Sequence, residues 1–166
     1  ITGEDVPVTY GAIPVAQDET ALALGKVRYI GEPVAAVAAL TPALAWEAAR
    51  KIHVVYEPIA PVLTIEEALD KTSPIIHNKK RKPSNILRRV FQKYGDPDAG
   101  FAEADLIVED TYEYPGSTHV PLESHAALAS ASPDGTLTLY SSTQNPHYMH
   151  RTLARVLKMD AADIRV

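Results

Sequence analysis

The chain has 166 residues, 46% of them hydrophobic and 22% charged, a balance that excludes intrinsic disorder as its dominant state. It has no cysteine, which excludes a disulfide scaffold, a thiol nucleophile, a Cys-ligated zinc site and an Fe–S cluster held by this chain. The formal net charge of −5 is not extreme, and the longest nearly apolar run, Pro33 to Trp46, is too short to cross a bilayer and is broken by Pro42. Neither a nucleic-acid nor a membrane partner is therefore expected. The length suits one domain or two small ones. The chain opens on Ile1 rather than Met and stops at Val166, so it is expected to be a piece of something longer.

Residues 1–25 read as an extended connection, and Gly31-Glu32 as a turn. The run PVAAVAAL, Pro33 to Leu40, has the length and valines of a strand buried on both faces. Thr41 caps and Pro42 opens a helix to Lys51. Ile52 to Glu57 is a β-branched strand stopped by Pro58, so strand, helix and strand predict a parallel crossover. Thr64, with Glu67 three residues on, predicts a capped helix over 64–69.

From Lys71 to Gly95 the composition breaks: eight basic residues stand with no Asp or Glu, leaving the rest of the chain with eight basic against 21 acidic, net −13. This predicts a boundary, with one lobe over 1–74, a basic linker over 75–97 and a second lobe over 98–166. Asp98 to Ala104 reads as a helix, Leu106 to Tyr114 and Leu122 to Ser130 as strands. Pro133-Asp134-Gly135 is a hairpin turn that leads into a strand over 136–143. Pro146 starts the last helix, whose Met149, Leu153, Val156 and Leu157 share one face. Asp160 to Asp163 reads as a turn and Ile164 to Val166 as a strand. The fold class is α+β.

The densest polar cluster is His119, Glu123 and His125. On a strand they share one face and offer a first-row metal two imidazoles and a carboxylate, although Pro121 interrupts that strand. A hydrogen-bonded polar face at an interface is the preferred reading. His147 and His150, three residues apart on the last helix, can bind zinc but lack an evident third ligand, so a solvated helix face is expected. Asn145 is expected to cap that helix. Gln144, at a strand-to-helix corner, is the candidate to face a ligand, against simple corner packing. The basic run around Lys79, Lys80, Arg81 and Lys82 suits a solvated linker against an acidic surface, with a phosphate-bearing ligand as the alternative.

Six segments go further when taken together. TGEDVP at 2–7, KVRYIGEPVAAVAA at 26–39, VVYEPIAPVLTIEEAL at 54–69, FAEADLIVEDTY at 101–112, HVPLESHAALA at 119–129 and STQNPHYMHRTLARVL at 142–157 resemble, in order, the large subunit of the molybdenum hydroxylases, the xanthine dehydrogenase and aldehyde oxidase family. GAIPVAQDE and PSNILRRV are similar to the 4-hydroxybenzoyl-CoA reductase branch, alpha subunit. The resemblance implies the later part of an α/β-hammerhead domain followed by the opening of a molybdopterin-binding domain. It implies a molybdopterin-type Mo cofactor in the complete enzyme, Fe–S clusters and any FAD on other subunits or domains, and an aromatic, heterocyclic or CoA-thioester substrate in the cytoplasm.

It also implies what this stretch lacks. The glycine-rich cofactor loop and the catalytic glutamate of the family lie beyond Val166, so no catalytic residue and no metal ligand is expected here, and Glu123 is not that glutamate. The isolated chain is expected to be inactive, to hold no cofactor and to expose edges through which it dimerises. Lys79, Lys80, Arg81 and Lys82 become candidate contacts for the CoA phosphates. The alternative is a stand-alone, non-catalytic binding or assembly module of the same fold.

Overall fold

The computed structural model describes residues 1–11, 17–77 and 83–166. The basic run Lys79 to Lys82 and most of the GAIPVAQDE segment lie outside the described residues.

Helices form where the sequence supplies its own caps. Helix α1, Pro42–Lys51, starts on Thr41, whose hydroxyl accepts from the Leu44 N–H at 3.3 Å. Helix α2, Ile65–Leu69, is closed by a capping box: Thr64 accepts from the Glu67 N–H, and the Glu67 carboxylate accepts from the N–H of Thr64 and of Leu63. Helix α3, Pro97–Glu103, is capped by Asp96, which accepts from the Ala99 N–H.

Strands β1, Ala127–Ala131, and β2, Leu137–Ser141, form an antiparallel hairpin with Ala129 opposite Leu139. The turn between them holds Gly135 at φ 89°, a conformation that an L side chain resists. Asp134 fixes the turn by accepting from the N–H and hydroxyl of Thr136, at 3.0 and 2.8 Å. Helix α4, Pro146–Leu157, then leads through a 3-10 turn, Ala161–Asp163, to strand β3, Ile164–Arg165. Strand β3 lies parallel to β2, with Leu137 opposite Ile164, giving the order β1-β2-β3. The described β-α-β crossover is therefore β2–α4–β3.

Four sequence expectations are corrected. Residues 33–40 are not a strand buried on both faces: Ala35 makes a single bridge to Thr2, and no residue of the run is buried. Residues 52–57 and 106–114 join no strand ladder among the described residues, so the crossover expected around α1 does not form there. The strand expected from Leu122 begins only at Ala127. A strand exists through a ladder of bonds to a neighbour; among the described residues 33–40 has only its short contact with the N-terminal segment, and 52–57 and 106–114 join no ladder.

Two small clusters anchor the rest. In the first, Leu22 is 6% exposed. The Ala23 N–H donates to Pro33 O, and Ile1 and Ala36 exchange bonds through their nitrogens and carbonyls. Gly3 packs so closely there that a Cβ would sit 2.3 Å from Ala23 O. In the second, Ile164 is 6% exposed beneath α4. The N-terminal segment reaches α4 directly: Tyr10 and Glu19 pair, and Arg155 donates to Gln17 Oε1 at 3.3 Å. Burial pushes the Tyr10 phenol above its ordinary value, and the Glu19 carboxylate adds to it.

The surface is unusually large. The chain exposes 14641 Å², against about 8,000 Å² for a closed monomer of its mass. Ile30, Leu40 and Leu122 are fully exposed, and no described residue of α1 or α4 is buried.

Candidate functional site

A groove of about 810 Å³ runs along residues 26–32, 56–63 and 74–76. Its wall is mostly apolar, including Tyr29, Ile30, Tyr56 and Ile59. Its polar groups are already engaged. Lys26 Nζ donates to Ile75 O at 2.9 Å. Arg28 pairs with Glu32 at 3.4 Å, with side chains only 9% and 11% exposed, and also donates to Lys26 O. The Glu32 carboxylate accepts the Arg28 N–H as well, closing the turn in which Gly31 has φ 91°. With Arg28 paired to Glu32 and Lys26 held by a backbone carbonyl, the groove reads as a packing surface.

A second cleft, about 480 Å³, lies where β1 begins and β2 ends, lined by His125, Ala126, Ala127, Ser141, Ser142, Thr143 and Met149. Ser142 pins this mouth: its Oγ accepts from the Ala126 N–H at 2.9 Å, and its N–H donates to Ala126 O at 3.1 Å. The Asn145 N–H donates to Thr143 Oγ1, and Asn145 O accepts from the N–H groups of Tyr148 and Met149. The expected Asn145 side-chain cap is absent; its backbone, not its amide, starts α4. Between these fixed points stands Gln144, exposed, its amide making no hydrogen bond among the described residues. It lies just past the carboxyl end of β2 and before the N-terminus of α4. In parallel β-α-β units, ligands bind at that end.

The three residues of the polar cluster do not line a strand face. His119, Glu123 and His125 are exposed on irregular backbone, and Val120 between them has φ 44°, which turns the chain. Among the described residues no three His, Asp or Glu side chains converge closely enough for a metal.

His147 is exposed as expected, but His150 is not on a solvated face. Its Nε2 lies 2.9 Å from both Ala161 O and Ile164 O. Two carbonyls can only accept, so Nε2 carries the proton and donates to both. The helical spacing located His150, but its partners are 11 and 14 residues away and carry no signal in their side chains. The half-buried Arg28–Glu32 pair was likewise missed; its signal is the four-residue spacing across a glycine turn.

Whether these residues suit a large organic cofactor can be judged from the second cleft. Its lining ends at Thr143, next to the exposed Gln144, and it is open, so it fits one wall of such a site and does not enclose one.

Comparison with known proteins gives two family matches. Residues 76–166 match the family described as a molybdopterin cofactor-binding domain, and residues 1–60 match the a/b hammerhead domain of aldehyde oxidase and xanthine dehydrogenase. The chain is 37% identical, over its full length, to the nicotinate dehydrogenase large molybdopterin subunit of Eubacterium barkeri. It is 33% identical over its full length to a probable xanthine dehydrogenase component of Bacillus subtilis, and 32% identical over 99% of its length to aldehyde oxidase 2 of Rattus norvegicus. It spans 40%, 22% and 11% of those three proteins. No described helix is long and apolar enough to cross a membrane. The chain belongs to the molybdenum hydroxylase family of xanthine dehydrogenase and aldehyde oxidase, and carries its hammerhead domain and the start of its molybdopterin-binding domain.

Proposed function

We propose that the chain serves a cytoplasmic, molybdopterin-dependent oxidoreductase acting on an electron-poor heterocycle of the nicotinate type. The observation that carries this reading is the cofactor-binding domain match over 76–166, together with the free Gln144 amide at the carboxyl end of β2. The pyridine substrate is supported by the relative whose name contains nicotinate. A bound molybdopterin group would supply the two-electron chemistry. This chain would supply positioning: Gln144 offers one amide donor and acceptor toward the group, Ser142 and Thr143 hold the loop on which it stands, and α4 holds the loop's far end. No side chain here is assigned as acid or base. Fe–S clusters and any flavin would sit on other subunits or domains, since the chain has no cysteine to hold a cluster. We place the junction of the two lobes in the basic stretch 75–97.

The test is substrate-dependent dye reduction by the complete subunit, purified with its partners. Gln144→Ala is expected to lower nicotinate-dependent turnover at least tenfold while the protein stays folded. Wild-type turnover in that variant would remove Gln144 from the site. Failure of the unaltered enzyme to oxidise any N-heterocycle would remove the substrate class.

A second reading is reduction of an aromatic CoA thioester. It is favoured by the eight cations without an anion between Lys71 and Gly95, to which the CoA phosphates would be complementary. Replacing Lys79, Lys80, Arg81 and Lys82 together with Ala would then raise KM for the thioester several-fold and weaken its salt dependence. An unchanged KM, with assembly intact, would dismiss it.

A further inference from the structure

We propose that His150 is a positioning residue, whose Nε2–H, shared between the carbonyls of Ala161 and Ile164, locks α4 to β3 and thereby fixes the corner that carries Gln144. The inference rests on the reading of Gln144 given above and extends it to a residue that does not touch the cleft.

The geometry is specific. α4 has no buried residue and packs chiefly on β3 and the 3-10 turn, so apolar burial alone holds it weakly. His150 stands on the second turn of α4, six residues after Gln144. Its two acceptors belong to different elements, the 3-10 turn at Ala161 and the first residue of β3 at Ile164. Ile164 is itself one of the most enclosed residues of the chain and faces Leu137 across the parallel ladder. One ring nitrogen thus joins the helix to the turn and to the strand. The same helix carries Asn145 and Pro146 at its start, so a helix that rolls on the sheet moves Gln144 with it.

The test is made in the complete subunit with its partners. His150→Phe keeps a flat ring and removes the donor; His150→Gln places an amide N–H at about the reach of Nε2. The readouts are molybdenum per folded subunit and nitrogen NMR of the imidazole in the unaltered protein. His150→Phe is expected to lower molybdenum content several-fold, and His150→Gln to restore it to within about twofold of the unaltered protein. Full molybdenum in His150→Phe, or equal loss in both variants, overturns the proposal, since neither outcome depends on the donor. Should the unaltered enzyme hold no molybdenum, the functional reading fails and His150 is judged by NMR alone. An Nε2–H tautomer whose proton exchanges slowly with solvent supports the tie, and an Nδ1–H tautomer contradicts it.

Discussion

Single residues hold this chain where backbone approaches backbone. Gly3 is the tightest such point, and a methyl there would meet Ala23 O at 2.3 Å. Gly3→Ala is expected to cost about 1–3 kcal/mol, the usual range for overpacking, read by chemical denaturation. A second point is the Arg28–Glu32 pair, shielded to 9% and 11% exposure. Glu32→Ala leaves the Arg28 N–H without its acceptor and the guanidinium with only Lys26 O, and is expected to cost about 1–3 kcal/mol. A third is Asp134, which accepts from the N–H and hydroxyl of Thr136 and is held below the ordinary carboxylate value of 3.8. Its folded pKa is depressed, so its contribution is full above the unfolded value and fades as pH falls through the folded one. Asp134→Asn is expected to flatten the acid side of the stability profile below about pH 4. An unchanged profile would show that the turn gains nothing from the charge.

Elements differ in how much of them could be read in advance. α1 and α2 were legible nearly to the residue, because Thr41-Pro42 and Thr64 with Glu67 are local signals and a helix bonds to itself. The Asp134-Gly135 hairpin was legible for the same reason. The runs 33–40, 52–57 and 106–114 carry strand chemistry, yet the first makes only a single bridge and the other two join no described ladder, and no local pattern states where a partner lies. Local pattern therefore points to a crossover around α1, when α4 makes it. The corner position of Gln144 was legible from the strand-to-helix switch, whereas the partners of His150 were not, since its acceptors are backbone atoms. The end of α4 offers an element-scale check. Lys158 closes it at φ 55°, a left-handed conformation that costs an L residue about 1–2 kcal/mol relative to glycine. Lys158→Gly is expected to raise stability by up to about 1 kcal/mol, as a higher denaturation midpoint.

The whole molecule is dominated by what it leaves uncovered. An exposed area of 14641 Å² exceeds the closed-monomer value by about 6,600 Å², more than a standard protein interface takes from one partner. The unpaired apolar segments and the open edge of β1 are surfaces of the kind that further polypeptide of the same family covers. A chain spanning 40% or less of the relatives compared above is expected, when prepared alone, to bind apolar dyes and to self-associate. Sedimentation as a single monomer over a wide concentration range, with no dye bound, would contradict this. The central claim, that these residues help to hold a molybdopterin group, is tested most directly by metal analysis. Molybdenum is to be measured in the subunit purified with its native partners, beside the 166-residue chain alone. The account predicts stoichiometric molybdenum in the first and none in the second. A folded, active enzyme without molybdenum, or stoichiometric molybdenum on the isolated chain, would contradict it.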